Sequence, residues 1–181
     1  MKVLGCIIAG GKSSRMGQEK AFIQWRGIAL IDHVIARLQP QVNELIINAN
    51  GDASRFALKV VADQIELGTP LAGLHAALTY ADENGFDAVL STPCDTPLLP
   101  LDLHQRLMGE GAAIATSAGQ AHYLTGLWPI GCLPLISGQR RMMDFAAACN
   151  ARQVEWAIIN HDLFFNVNTP EDVLLLPEGH V

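Results

Sequence analysis

The sequence has few cysteines, and their spacing excludes the common cysteine-based sites. Its four cysteines are scattered, with no C-x-x-C pair and no histidine spacing suited to zinc: Cys6, Cys94, Cys132 and Cys149. This pattern argues against a zinc module and against a thioredoxin-like redox motif. Because Cys6 lies in a strand-like apolar run, it behaves as a small buried hydrophobe. The cysteines therefore predict reduced thiols and a cytoplasmic setting.

Long apolar runs and excess positive charge are also missing. No run reaches the roughly 18 apolar residues that cross a bilayer. The first residues, MKVLGCIIAGG, lack a charged leader and a cleavage site, so they predict a first strand and not a signal peptide. The net charge of −6 argues against a general affinity for nucleic acid. Against this acidic background, residues 12–26 carry four basic residues and one acidic residue. A local cationic segment of this kind favours a small anionic ligand over a polymer.

The order of the apolar patterns predicts the fold. With 181 residues, 50% hydrophobic and 17% charged, the chain suits one compact domain with a largely buried sheet, spanning residues 1–181. Strand-like runs alternate with helical patterns, which is typical of an α/β fold of Rossmann-like type. We expect a mostly parallel sheet with helices on both faces and one antiparallel hairpin near residues 112–128. Strands are expected at 3–9, 44–48, 59–62, 86–91, 112–117, 122–128 and 154–159, and helices at 30–38, 71–81, 100–108, 140–149 and 170–176.

The loop after the first strand has the chemistry of a phosphate site without a common phosphate motif. A Walker A loop requires glycine where Cys6 stands, and the adjacent Gly10 and Gly11 do not form a G-x-G-x-x-G pattern. Paired glycines nevertheless let backbone N–H groups approach a phosphate. Lys12, Arg15 and Lys20 supply positive charge, which Arg15 can present as a bidentate fork. The alternative is a plain turn with solvated bases.

Several short motifs in a fixed order resemble one family. They are A-G-G-x-S-x-R-M-G from Ala9, followed by Lys20; Asn48-Ala49-Asn50; Val61-Ala62-Asp63; Gly68-Thr69-Pro70-Leu71-Ala72-Gly73; Pro93-Cys94-Asp95-Thr96-Pro97; and Asn166-Val167-Asn168-Thr169-Pro170-Glu171-Asp172. Each motif is weak alone, but together they run through nearly the whole chain. In order and spacing the sequence resembles the molybdenum cofactor guanylyltransferases, small members of the nucleotidyltransferase group.

This resemblance implies transfer of GMP from GTP to the terminal phosphate of molybdopterin, with release of pyrophosphate. It implies that Asp95 holds Mg²⁺, where a single carboxylate beside a triphosphate suits that ion; an Asx turn is the alternative. Lys12, Arg15 and Lys20 would act with Asp95 in catalysis. The implied contacts with GTP are Ile8, Ala9, Gly10, Gly11, Lys20, Asn48, Asp63, Pro70, Leu71, Gly73 and Asp95.

Fewer residues are predicted for the side of the site that binds the acceptor. Asn166, Asn168 and Arg140 would face the pterin. Arg140 and Arg141 at a helix start are unfavourably placed, which hints at an anionic partner, although a solvent-exposed face explains them equally well. Asp63 and Asn48 could instead cap local structure, and the 168–171 segment could cap the last helix. His122 lies near the expected pterin pocket and is otherwise a solvated histidine.

Other activities remain open at this stage. Cytidylyl transfer to the same pterin, nucleotidyl transfer to a sugar phosphate, and a non-catalytic nucleotide or pterin carrier are the alternatives. We expect a monomer that binds GTP and molybdopterin, with cofactor-delivery proteins or molybdoenzymes as protein partners. No nucleic acid or membrane partner is expected.

Overall fold

The computed structural model describes residues 1–9 and 20–177, and its centre is a mostly parallel sheet. The strands within these described residues are β1 Val3–Ile8, β2 Gln24–Trp25, β3 Ile28–Ala29, β4 Glu44–Asn48, β5 Val60–Val61, β6 Ala88–Pro93, β7 Ala113–Ser117, β8 Gln120–Pro129 and β9 Arg152–Trp156. Seven of them form one sheet in the order β5-β4-β1-β6-β8-β7-β9. Only β8 runs antiparallel to its neighbours. The predicted α/β class and the parallel sheet are therefore confirmed.

The first strand explains why the sheet centre is so apolar. Every residue of β1 is buried, and β1 lies between β4 and β6 in parallel register. A parallel strand that is covered on both faces needs a continuous apolar run and not an alternating one. The sequence Val-Leu-Gly-Cys-Ile-Ile satisfies this requirement.

Helices cover both faces, as expected. They are α1 Leu30–Leu38, α2 Pro70–Glu83, α3 Leu103–Leu107 and α4 Met142–Ala148. Helices α1 and α3 pack with Val3, Ile7 and Ile47 in one core layer. Helix α2 and α4 pack with Leu4, Cys6 and Ile46 in the other. Alternate residues of the same strands thus serve opposite layers.

The predicted hairpin is present between β7 and β8. Ala118 and Gly119 both have positive φ, 48° and 74°, as a two-residue turn that follows the strand twist requires. A second, short hairpin of β2 and β3 was not predicted. It turns at Arg26 and Gly27, with φ of 56° and 74°, and Arg26 gives no sequence signal for such a turn.

Other boundaries differ from expectation. The closing segment Pro170–Leu175 is a 3-10 helix and not an α-helix, and Ile130–Ile136 is another 3-10 helix where no helix was predicted. Strand β9 ends at Trp156, short of the predicted residue 159. Helix α4 begins at Met142, so Arg140 lies outside it. Among residues 1–9 and 20–177, no helix is long and apolar enough to cross a membrane.

Candidate active site

The carboxyl edge of the parallel strands gathers the polar residues singled out from the sequence. Strands β1, β4 and β6 end at Ile8, Asn48 and Pro93, and open α/β sheets bind ligands at this edge. Asp63 follows β5 and Asp95 follows β6. The predicted phosphate-loop residues Gly10, Gly11, Lys12 and Arg15 lie outside the described residues.

Asn48 and Asp63 form a locked pair. The Asn48 Nδ2 donates to Asp63 Oδ1 at 2.9 Å and to the Val61 carbonyl at 3.1 Å. The Asn50 Nδ2 donates to Asp63 Oδ2 at 2.8 Å, and the Asp63 N–H donates back to Asn50 Oδ1 at 2.9 Å. Both protons of the Asn48 amide are used within the protein, so this side chain has only its Oδ1 left. Its geometry is that of a residue that positions Asp63.

The Asn48–Asp63 pair also explains why position 73 is a glycine. Helix α2 passes so close to Asn48 that a Cβ on Gly73 would lie 2.1 Å from Asn48 Oδ1. Only glycine permits this approach. Leu71, Ile8 and Ala9 are buried in the core, whereas Pro70 is exposed at the first turn of α2. Because the side chains of Leu71, Ile8 and Ala9 are buried, these residues can offer a ligand only their backbone groups.

Asp95 is the carboxylate most ready for a ligand. Its Oδ1 is buried and has no hydrogen-bond partner among the described residues. Burial raises the pKa of Asp95 above its usual range, and the positive charge of Lys20 opposes that rise. A buried acidic oxygen without a partner is costly unless a cation or donor meets it. The geometry favours the metal-binding interpretation over a self-satisfied Asx turn.

The closing motif packs against Asp95 and Lys20. The Val167 N–H donates to the Asp95 carbonyl at 2.9 Å, and Lys20 Nζ donates to Asn168 Oδ1 at 2.8 Å. Helix capping here is done by Thr169 and Asp172, which form a reciprocal capping box. Three residues far apart in sequence, Lys20, Asp95 and Asn168, are thereby brought into one cluster.

The residues present suit Mg²⁺ better than a metal with an all-protein ligand set. Among the residues that the structure describes, no three His, Cys, Asp or Glu side chains group together as a metal site. Mg²⁺ commonly binds through one or two carboxylates and completes its shell with water and substrate phosphates. Asp95, with one free oxygen beside Lys20, fits that donor set.

Two cavities are lined by residues that follow strands of this sheet. The first, called the polar cavity, has a volume of about 480 Å³ and lies beside β4 and β5; it is lined by Asn50, Asp63, Gln64, Ile65, Glu66, Gly68 and Thr69. The Thr69 hydroxyl is buried there without a partner among the described residues. The second, called the hairpin cavity, has about 190 Å³ and is lined by Pro93, Thr96, residues 120–125 and Asn166. A third cavity of about 530 Å³, between α2 and the 3-10 helix Ile130–Ile136, is lined by none of the predicted site residues.

Arg140, predicted for the acceptor side, does not line the hairpin cavity. It is exposed between the 3-10 helix Ile130–Ile136 and α4, whereas Asn166 lines the hairpin cavity. The charge at the start of α4 has a local explanation in Arg141, which donates to both carboxylate oxygens of Asp144, at 2.8 and 2.9 Å. An anionic ligand is not needed to explain it.

Sequence reasoning assigned no role to Asn50, Ser117 and Asp162. Asn50 holds Asp63, and Ser117 bonds to both His122 and Asp162. No local pattern marks Ser117 and Asp162, because they lie 45 residues apart and meet only in the fold.

Comparison with known proteins agrees with this architecture. The family model described as the MobA-like NTP transferase domain matches residues 5–159. A molybdenum cofactor guanylyltransferase of Cereibacter sphaeroides is 42% identical, over 96% of this chain and 94% of its own. One from Rhodobacter capsulatus is 40% identical, over 96% and 94%.

Solved structures share the fold at low identity. The molybdopterin-guanine dinucleotide biosynthesis protein A of Archaeoglobus fulgidus has a TM-score of 0.71 at 21% identity, covering 97% of this chain and 96% of that one. A 4-diphosphocytidyl-2C-methyl-D-erythritol synthase has a TM-score of 0.69 at 13% identity, over 96% and 95%. The sheet and the carboxylates at its carboxyl edge agree with these relatives. The chain belongs to the MobA-like NTP transferase family of nucleotidyltransferases.

Proposed function

We propose that this protein transfers GMP from GTP to the terminal phosphate of molybdopterin, forming molybdopterin guanine dinucleotide and pyrophosphate. One observation carries the proposal: Asp95, with its unpaired buried oxygen and Lys20 beside it, follows β6. In the sheet, β6 stands between β4 and β5, whose following residues line the polar cavity, and β8, which lines the hairpin cavity. A two-substrate transfer needs a donor site and an acceptor site on either side of the reacting phosphate. The names of the curated relatives support the choice of guanylyl transfer.

The polar cavity suits the nucleoside of the donor. Asp63 lines it with both carboxylate oxygens held in place by asparagine amides. The Thr69 hydroxyl and the N-terminal turn of α2 stand at the same cavity with unpaired polar groups. Fixed acceptors and donors of this kind recognise a base or ribose without reorganisation. The triphosphate would then extend toward Lys20 and the predicted phosphate loop that contains Gly10, Gly11, Lys12 and Arg15.

The reaction requires charge neutralisation more than covalent help. An oxygen of the acceptor phosphate attacks the α-phosphorus, a P–O–P linkage forms, and the bond to the β-phosphate breaks as pyrophosphate leaves. A phosphate monoester is already largely ionised at neutral pH, so no general base is required. Lys20 binds phosphate oxygens and balances the charge of Asp95. Asp95 would hold Mg²⁺, which supplies charge stabilisation to the phosphates when bound.

The test is pyrophosphate release from GTP and molybdopterin. We expect Asp95→Asn to lower kcat roughly 10²- to 10³-fold, since it removes the charge that holds the cation, while nucleotide binding without metal persists. Asp82→Asn, at an exposed site on α2, is the matched control and should retain full activity. A non-catalytic carrier would instead bind both ligands and release no pyrophosphate in any variant.

Competition between nucleotides tests the base. We expect GTP to be preferred, and a preference for CTP would replace guanylyl with cytidylyl transfer. We further propose that the protein works as a monomer in the cytoplasm and passes its product to delivery proteins or molybdoenzymes. Light scattering on the purified protein at micromolar concentration measures its molar mass, and we expect the mass of a monomer.

A further inference from the structure

The hairpin cavity opens next to Asp95, on the side away from the polar cavity. Its walls Pro93 and Thr96 flank Asp95 in sequence. Asn166, another wall, precedes Val167, whose N–H donates to the Asp95 carbonyl. In the sheet, β8 lies on one side of β6 and β1 and β4 on the other. A molecule in the hairpin cavity would thus face the reacting phosphate from the side opposite Asp63.

Strand β8 presents unpaired backbone to this cavity. Its pairing with β6 covers Gly126–Pro129 only, while the part from Gln120 to His122 pairs with β7 on its other edge. Among the described strands, none pairs with residues 120–125 on the β6 side. The Leu124 carbonyl on this stretch accepts from the Ser91 hydroxyl at 2.8 Å. The other backbone N–H and C=O groups that point to the β6 side have no partner among the described strands and are available to a ligand.

His122, on the same stretch of β8, is held in a defined orientation. Ser117 has one hydroxyl proton and donates it to Asp162 Oδ1 at 2.9 Å. Its oxygen can therefore only accept from the His122 Nε2, which lies 2.7 Å away. The imidazole ring also stacks on Phe164, with ring centroids 4.7 Å apart and an interplanar angle of 25°. Nε2 consequently carries the proton, and the ring cannot rotate freely.

The second ring nitrogen is then a hydrogen-bond acceptor. Burial lowers the pKa of His122, while Asp162 and Glu155, which face it from the segment after β9 and from β9 itself, oppose the shift. The neutral ring with its proton on Nε2 leaves a lone pair on Nδ1. Among the described residues, the structure gives His122 a hydrogen bond only through Nε2. Nδ1 is therefore the group that His122 can offer to a ligand.

We infer that the hairpin cavity binds the heterocyclic ring of the acceptor, with His122 Nδ1 accepting a hydrogen bond from a ring N–H and Ser117 acting as the residue that positions His122. This inference rests on the proposed function. A pterin is flat and carries several N–H donors along one edge, which matches an acceptor nitrogen beside an open strand edge. The cavity, about 190 Å³, is smaller than the roughly 300–1,000 Å³ of sites that enclose a whole drug-sized ligand. It suits the ring system, with the phosphate outside it near Asp95.

Steady-state kinetics of His122→Phe test the inference. Phenylalanine keeps a ring on Phe164 but removes both nitrogens. We expect the KM for molybdopterin to rise roughly 5- to 10-fold, the effect of one lost hydrogen bond, with kcat and the KM for GTP unchanged. His122→Asn places an amide near the position of Nδ1 and should restore part of the affinity. Ser117→Ala, which frees the ring, should raise the KM for molybdopterin by a smaller factor.

His161→Phe is the matched control, because His161 is exposed and precedes Asp162 without lining the cavity. It should leave all constants unchanged. The inference is wrong if His122→Phe raises the KM for GTP as much as that for molybdopterin, or changes neither. A thermal melt and GTP binding establish that each variant is folded.

Equilibrium binding separates this inference from the proposed transfer reaction. If the wild-type protein releases no pyrophosphate, the proposed function fails, and titration of molybdopterin by its own fluorescence still tests the cavity. Weaker binding by His122→Phe than by wild type supports the cavity assignment. Equal binding by both, or no binding by wild type, overturns it.

Discussion

Replacing Gly73 by alanine isolates the contact on which the Asn48–Asp63 pair depends. The added Cβ would lie 2.1 Å from Asn48 Oδ1 and 2.7 Å from its Cγ. Asn48 is 1% exposed and fixed by hydrogen bonds to Asp63 and Val61, so it cannot turn away without breaking them. In an unobstructed helix, Gly→Ala stabilises by roughly 0.5–1 kcal/mol. Here the sign should reverse.

The magnitude follows from three contributions. Overpacking costs about 1–3 kcal/mol, and the two displaced hydrogen bonds cost about 1 kcal/mol each. Subtracting the gain in helix propensity leaves a net destabilisation of about 2–4 kcal/mol. Urea unfolding followed by circular dichroism measures it. Affinity for GTP should fall as well, because the displaced amide no longer holds Asp63.

Two further variants make this reasoning refutable. Gly131→Ala is the control, since a Cβ there meets nothing within 4 Å and Gly131 is not at positive φ; its stability should change little. In an Asn48→Ala background the clash disappears, so the added cost of Gly73→Ala should fall close to zero or become a gain. If Gly73→Ala alone raises stability as an ordinary helix substitution does, the proposed contact does not operate.

Three other measurements follow from the structure. Because burial lowers the pKa of His122, its ring is neutral at pH 7 and gains a proton on Nδ1 as the pH falls below the ordinary value of about 6.5. The KM for molybdopterin should therefore rise more steeply at acid pH in wild type than in His122→Phe, where only the acceptor phosphate, with a second pKa of about 6, still titrates. Burial raises the pKa of Cys6 and of Cys94 to about 12, so both thiols should resist alkylation in native protein at pH 8 and react after unfolding, as mass spectrometry can count. Ser91→Ala leaves the buried Trp128 Nε1 without the hydroxyl that it donates to at 2.8 Å; we expect a loss of about 1–3 kcal/mol in urea unfolding, and an unchanged midpoint would contradict it.

The sequence predicted most of the sheet because buried parallel strands leave a local record. The apolar run of β1 and the turn at Ala118-Gly119 are both readable without tertiary information. The start of the closing helix was also readable, since Thr169 and Pro170 are residues typical of a cap and of a first helical position. The part of Asp172 in the cap was seen only in the structure. Its 3-10 form was not, because helix type at this length depends on packing, and Leu174 and Leu175 are largely exposed.

The candidate site was predicted in part. Asp95 and Asp63 were found because each follows a strand, and strand ends mark the ligand-binding edge of such sheets. Arg140 was grouped with Asn166 and Asn168 because positive charge at a helix start suggested an anionic partner, and in the structure it is exposed and does not line the hairpin cavity. Sequence position alone does not reveal which loops share a cavity.

The predicted phosphate loop, the strand-end carboxylates and the ordered motifs could be recognised from the sequence itself, since each depends on residue type and short spacing. Tertiary structure alone decided what those residues do to one another. Lys20 meets Asn168, which is 148 residues away, and Gly73 is required by Asn48. Ser117 determines that the proton of His122 is on Nε2 only because the Ser117 hydroxyl donates its own proton to Asp162. Hydrogen bonds and steric contacts act over a few ångströms of space, and no local pattern in a chain of 181 residues records which distant side chains the fold brings within that range.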